Sequence, residues 1–96
     1  MLIKAGVDIS RLNREIRRAL QITYHLLAIQ NFSFIVTSTY EGNHSSGSLY
    51  YTNDAFDFTT TFTDVKKLFK DLRFSLGPDF NVVDEVDHIH VEYDPK

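Results

Sequence analysis

At 96 residues with a formal charge of −3, the chain is long enough for one small domain, spanning residues 1–96, with a single modest core. Hydrophobic residues at 43%, with two prolines and four glycines, make it globular rather than disordered. The acidic balance argues against a nucleic-acid partner, whose phosphates are met by strongly basic surfaces, and the absence of cysteine excludes disulfides and thiolate metal sites.

The charge is unevenly spread: residues 1–33 hold five bases and two acids, and the other 63 hold five bases and eleven acids. The opening "MLIKAGVDIS" lacks the long apolar core of a signal peptide, and no 18-residue apolar run could span a bilayer. The expectation is therefore a protein made in the cytoplasm and not inserted in a membrane.

From Ser10 to about Gln30, Leu12, Ile16, Ala19, Leu20, Thr23, Leu26 and Leu27 recur at three- and four-residue spacing, which predicts an amphipathic helix. Asp8 or Ser10 is placed to cap it. Arg11, Arg14 and Arg18 form a stripe away from the core, readable as a solvated face or as an anion or cell-wall docking face, and His25 lies off the apolar side too. "FSFIVTSTY", residues 32–40, is rich in β-branched and aromatic residues and predicts a buried strand; the turn-rich "EGNHSSGS" follows as a loop. "DAFDFTTTF", residues 54–62, alternates as a second strand, with Ala55, Asp57 and Thr59 on one face and Phe56 and Phe58 on the other. Thr63 or Asp64 can cap a second helix running to about Leu76, where Gly77-Pro78 stops it. "FNVVDEVDHIHVEYD" reads as two short strands joined near Glu85 to Asp87. The order implies an α+β fold, a small antiparallel sheet packed against two helices.

His88, His90 and Glu92 are two residues apart, so on a strand they share a face. A solvated strand face gives the same pattern, but Asp57 starts a similarly patterned strand, and a small domain has few places for two such faces. A catalytic zinc site takes nitrogen and oxygen ligands, usually three from the protein, and keeps one position open. Asp57 and His90 supply two. Asp87, three residues before His90, is the candidate general base, with Asp84 and Glu85 next.

"VTSTYEGNHSSGSLYYTNDAFDF", followed some thirty residues later by "DHIHVEYD", resembles the D-alanyl-D-alanine carboxypeptidase and L-alanyl-D-glutamate endopeptidase group of zinc peptidases and the related hedgehog signalling domain. The family pattern HxxGxAxD lies over Tyr50 to Asp57, and the resemblance runs from about Ile35 to Tyr93. The preceding "HSSGSL" and the closing "HIH" are most like the hedgehog and small phage-type versions. The resemblance implies a single zinc-peptidase-like domain with Zn²⁺ held at Tyr50, Asp57 and His90 and with Asp87 as the acid of the family's D/E-x-x-H. His44 and His88 match residues that line the site or face the substrate. The implied activity is hydrolysis of a peptide bond in peptidoglycan stem peptides, as a carboxypeptidase or an endopeptidase. An endolysin-like protein without a leader would be released to the wall at lysis.

Three positions depart from the pattern: Tyr50 replaces the first zinc histidine, Asn53 replaces the usual glycine, and Glu41 stands near where many of these peptidases carry a substrate-binding arginine. A phenol with a free pKa of about 10 must lose a proton to ligate a metal at neutral pH. Ligation by Tyr50 as phenolate, replacement by His44, and loss of zinc are all open outcomes. The alternative to a peptidase is a catalytically inactive pseudoenzyme that uses the same groove to bind a peptide, a cell-wall fragment or a protein partner.

Overall fold

The computed structural model describes residues 1–39 and 53–95. In chain order the elements are β1 (Leu2–Ile3), α1 (Arg14–Ala28), β2 (Ile35–Ser38), β3 (Ala55–Thr59), α2 (Val65–Leu76), β4 (Phe80–Asp84) and β5 (Ile89–Tyr93). The five strands make one sheet in the order β1-β2-β3-β5-β4. It is mixed rather than antiparallel: β1 runs parallel to β2, and every other pair is antiparallel. Parallel neighbours need a crossover, and α1 is that connection. Two residues carry no readable period, which is why β1 was not visible in the sequence.

α1 buries Ile16, Ala19, Leu20, Thr23 and Leu27 of the predicted stripe, while Leu12 is buried ahead of the helix and Leu26 is half-buried. The hydroxyl of the fully buried Thr23 donates to the Ala19 carbonyl at 2.8 Å, so no polar group is stranded there. The helix starts four residues later than expected. Asp8 accepts the Ser10 amide at 2.8 Å in a local turn instead of capping the helix, and Asn13 takes the cap position in an extended conformation. Asn13 spends its side chain elsewhere, donating to Asp54 at 2.8 Å, while its backbone N–H donates to the Asn53 carbonyl at 3.0 Å. The helix start is thereby tied to the segment entering β3. At the other end Asn31, with φ 63°, takes the left-handed position, and Phe32 N–H reaches back to the Leu27 carbonyl at 3.0 Å, which ends the helix at Ala28 rather than Gln30. Arg11, Arg14, Arg18 and His25 are exposed.

α2 matches its expected bounds closely, with the Asp64 carboxylate accepting the Lys67 amide at 3.2 Å and Leu68 and Leu72 fully buried. Gly77, at φ 91°, closes it in a conformation open to glycine.

The central strands are shorter than the sequence suggested, Ile35–Ser38 within 32–40 and Ala55–Thr59 within 54–62. β2 bulges between Val36 and Ser38, so that Val36 faces Phe58 but Ser38 faces Asp57. In β3 and β5 the register pairs Phe56 with Val91, Asp57 with His90 and Phe58 with Ile89. Phe56, Phe58, Ile89 and Val91 therefore share the face that joins both helices in one core with Phe34, Leu20 and Leu72. The Phe34 ring lies 5.0 Å from Phe58 and 6.3 Å from Phe56, edge-on to the latter. Asp57, His90 and Glu92 are left on the opposite face. Among the described residues no helix is long and apolar enough to cross a membrane.

Candidate functional site

Strand pairing alone puts the site together. Asp57 and His90 are 33 residues apart, but they are direct cross-strand partners in the middle of the sheet, each only 6% exposed. His90 Nδ1 lies 2.9 Å from Asp57 Oδ1, and its Nε2 lies 2.8 Å from Glu92 Oε1. The second Asp57 oxygen faces His88 Nε2 at 3.3 Å, and His88 Nδ1 in turn meets Asp87 Oδ1 at 2.6 Å. Three carboxylates and two imidazoles thus alternate in one line, Asp87, His88, Asp57, His90, Glu92.

Asp87 and His88 are held by the β4–β5 turn. The Asp87 amide donates to the Glu85 carbonyl at 2.9 Å around Val86, whose φ of 73° is rare for a β-branched residue, and the Glu85 amide donates to the His88 carbonyl at 2.9 Å. Val86 is 99% exposed, so packing does not explain the conformation; the Asp84 carboxylate, which accepts the Val86 amide at 3.2 Å, does help to hold it. The Asp87 side chain is 86% exposed and lines an open cleft of about 300 Å³ together with Asp57, His88 and Lys4. A smaller hollow of about 140 Å³ shares Asp87 and His88 with it and is floored by Phe58 and Phe62.

Burial works against a charged His90 ring, but the hydrogen bond and the field of Asp57, followed by those of Glu92, outweigh it and raise the imidazole pKa above its ordinary 6.5. With a folded pKa above the unfolded one, the stabilising contribution of the imidazolium is complete below pH 6.5 and is lost as the pH rises through the raised value. Metal-free protein should therefore unfold at progressively lower temperature as the pH rises from the ordinary imidazole value of 6.5 through the raised one. A midpoint that climbs over that range would contradict the pairing seen around His90.

Of the residues expected from sequence, Asp57, His88, His90 and Asp87 come together, whereas Tyr50 and His44 lie outside the described residues, as does Glu41. Of the other acids, Asp84 borders the small hollow, and Glu85 borders neither cavity. Among the described residues no group of three or more His, Cys, Asp or Glu side chains is arranged to hold a metal. The Asp57–His90 pair nevertheless fits two corners of a zinc site. Its nitrogen and oxygen donors are 2.9 Å apart, and tetrahedral ligands at about 2.0–2.1 Å from zinc stand roughly 3.3 Å from each other, so the pair needs to open by only a few tenths of an ångström.

Two features of the site were not readable as such from the sequence. Lys4 has no local signal, because only the parallel pairing of β1 with β2, in which the Lys4 amide donates to the Val36 carbonyl at 2.9 Å, brings it to the cleft. Glu92 shares the strand face of the histidines, a pattern visible in the sequence, but its contact with His90 needed coordinates. No family model matches the chain, and no curated protein matches it.

Proposed function

We propose that the chain is a zinc-dependent peptidase acting on peptidoglycan stem peptides, with a site built from Asp57, His90 and residue 50. The observation that carries this reading is the buried Asp57–His90 pair, its donors 2.9 Å apart, with Asp57 opening on a cleft that Asp87 and His88 also line. The backbone at Asn53 supports it. In the HxxGxAxD pattern that position belongs to glycine, and here it has φ 62°, a left-handed conformation that favours glycine and that asparagine tolerates better than most residues. The substitution has a cost, since the Asn53 side-chain oxygen is buried without a hydrogen-bond partner among the described residues.

The chemistry a zinc ion supplies in such a site is Lewis-acid polarisation of a carbonyl and of a water molecule. Asp87 takes the proton of the attacking water, and His88, 2.6 Å away, holds that carboxylate at the cleft while its other nitrogen faces Asp57. Lys4 offers the cleft a cation for the acidic groups of a stem peptide.

Chelator-sensitive cleavage of a stem peptide tests the reading, and Asp87→Ala refines it. Because the Asp87 side chain is 86% exposed, its loss should leave fold and zinc affinity intact while lowering turnover by about 10²- to 10⁴-fold. An unchanged rate would remove Asp87 from the role and pass it to Asp84 or Glu85.

A second reading, a pseudoenzyme that binds the same ligands without cutting them, draws on a different observation. The side chains of Asp87, His88, Asp57, His90 and Glu92 already partner one another directly. It predicts stem-peptide binding that chelator leaves unchanged, with no product formed.

A further inference from the structure

We propose that the hollow beside Asp87 is a subsite for one side chain of a bound peptide, an unbranched alkyl chain ending in an ammonium group, as in lysine. The peptide's presence in the cleft rests on the reading above. The hollow lies where β3 runs out at Thr59 and β4 turns into β5, and it measures about 140 Å³. An apolar cavity of roughly 150 Å³ admits benzene, so this one has room for the methylene stem of a lysine. Its lining is largely apolar, with Phe58 and Phe62 at the floor and Val65, Val86 and Ile89 around them. It shares Thr59, Asp87 and His88 with the cleft on which Asp57 opens, so a peptide lying in that cleft can drop one side chain over the shared rim.

Asp84 supplies the charge for the tip. By strand alternation it shares the face of β4 with the buried Val82, and its cross-strand partner is the buried Ile89, so an exposed carboxylate stands at the mouth of an apolar hollow. Among the described residues Asp84 makes no ion pair. The other acid of the rim, Asp87, is engaged with His88 at 2.6 Å, which leaves Asp84 to meet the cation. A lysine-type side chain suits this combination, because its methylenes lie along apolar surface while its ammonium stays at the wet rim. Val86 supplies a wall. It is almost wholly exposed and has φ 73°, a costly backbone for a β-branched residue of the kind that gathers at ligand clamps, and the Asp84 carboxylate helps to hold it by accepting its amide at 3.2 Å. An alkyl chain in the hollow gives Val86 the apolar contact that the fold does not.

The test titrates the methyl-labelled chain with Nα-acetyl-lysine methylamide and with its norleucine and alanine counterparts, following the methyl shifts of Val65, Val86 and Ile89. Lysine should bind about 2- to 5-fold more tightly than norleucine, the gain of an exposed ion pair, and norleucine more tightly than alanine by about fourfold for each methylene covered. Asp84→Asn should erase the preference for lysine over norleucine. Val86→Asn, which suits the left-handed backbone, should weaken both by about fourfold without lowering the unfolding midpoint. Norleucine binding as tightly as lysine, alanine binding as tightly as norleucine, or no shift at these methyl groups would overturn the proposal. So would an Asp84→Asn chain that keeps the lysine preference, or a Val86→Asn chain with wild-type affinity for the probes. If either variant does not fold, the ranking of the three probes on the wild-type chain decides. A zinc-loaded chain that leaves stem peptides uncut would overturn the peptidase reading instead, and the probe ranking would still support or refute the subsite by itself.

Discussion

Asp57→Ala is expected to be among the most damaging single changes to this protein. The carboxylate is 6% exposed, and its two oxygens face His90 at 2.9 Å and His88 at 3.3 Å. While His90 is charged, its removal leaves a buried imidazolium short of its principal partner, a loss of about 3–5 kcal/mol; once the ring is neutral the penalty falls to the roughly 1–3 kcal/mol of a buried hydrogen-bond partner removed. For a domain of this size the first figure lowers the unfolding midpoint by about 10 °C or more. The loss should shrink as the pH rises through the raised His90 pKa, since the pair then has less to give. Asp57→Asn keeps the shape and separates stability from chemistry: its midpoint should fall less than that of the alanine variant, while zinc affinity drops by more than the roughly 100-fold ascribed to outer contacts, because a ligand itself is lost. Thermal unfolding and zinc competition on the two variants measure both effects, and an Asp57→Asn chain with wild-type zinc affinity would remove Asp57 from the site.

Tyr50→His is expected to act in the opposite direction, as a gain. At pH 7 a phenol with a pKa of about 10 holds its proton by about three pH units, whereas imidazole with a pKa of about 6.5 has mostly shed its own, so the exchange is worth up to about 1,000-fold in apparent zinc affinity. Stem-peptide cleavage should rise with it. The pH dependence gives a cleaner signature: between about pH 7 and about pH 9 the wild-type affinity should climb by an additional factor of ten per unit, from the phenol proton released on binding, and this extra slope should vanish in Tyr50→His. Equal slopes in the two proteins would mean that Tyr50 does not ligate.

How much of this could be read from the residues depended on the range of the interaction involved. The α1 and α2 stripes, the Asp64 cap, the Gly77 stop and the turn between Asp84 and Ile89 are local, and periodicity and capping rules found them. The N-terminal bound of α1 was misjudged because Asp8 and Ser10 satisfy each other in a turn, and because Asn13 holds the cap position while bonded to Asp54, a partner 41 residues away. β1 was missed for a related reason: a two-residue strand exists only by virtue of the partner it pairs with. In the site, alternation put Asp57 and His90 on strand faces opposite the Phe side, but only the β3–β5 register made them neighbours. A slip of one residue would have turned every one of these side chains to the other face. The His90–Glu92 contact is the intermediate case, two residues apart in sequence and yet a matter of how far a glutamate reaches back along its strand.

On the proposed reading, Asp57 and His90 are two ligands of a zinc site. It is tested most directly by the zinc content of protein purified without chelator and then titrated with zinc at about pH 8, where a metal competes better with protons for its ligands. The expected result is one zinc per chain, lost in Asp57→Asn and His90→Ala. A chain that takes up no zinc, or that takes it up equally well in both variants, would contradict the account.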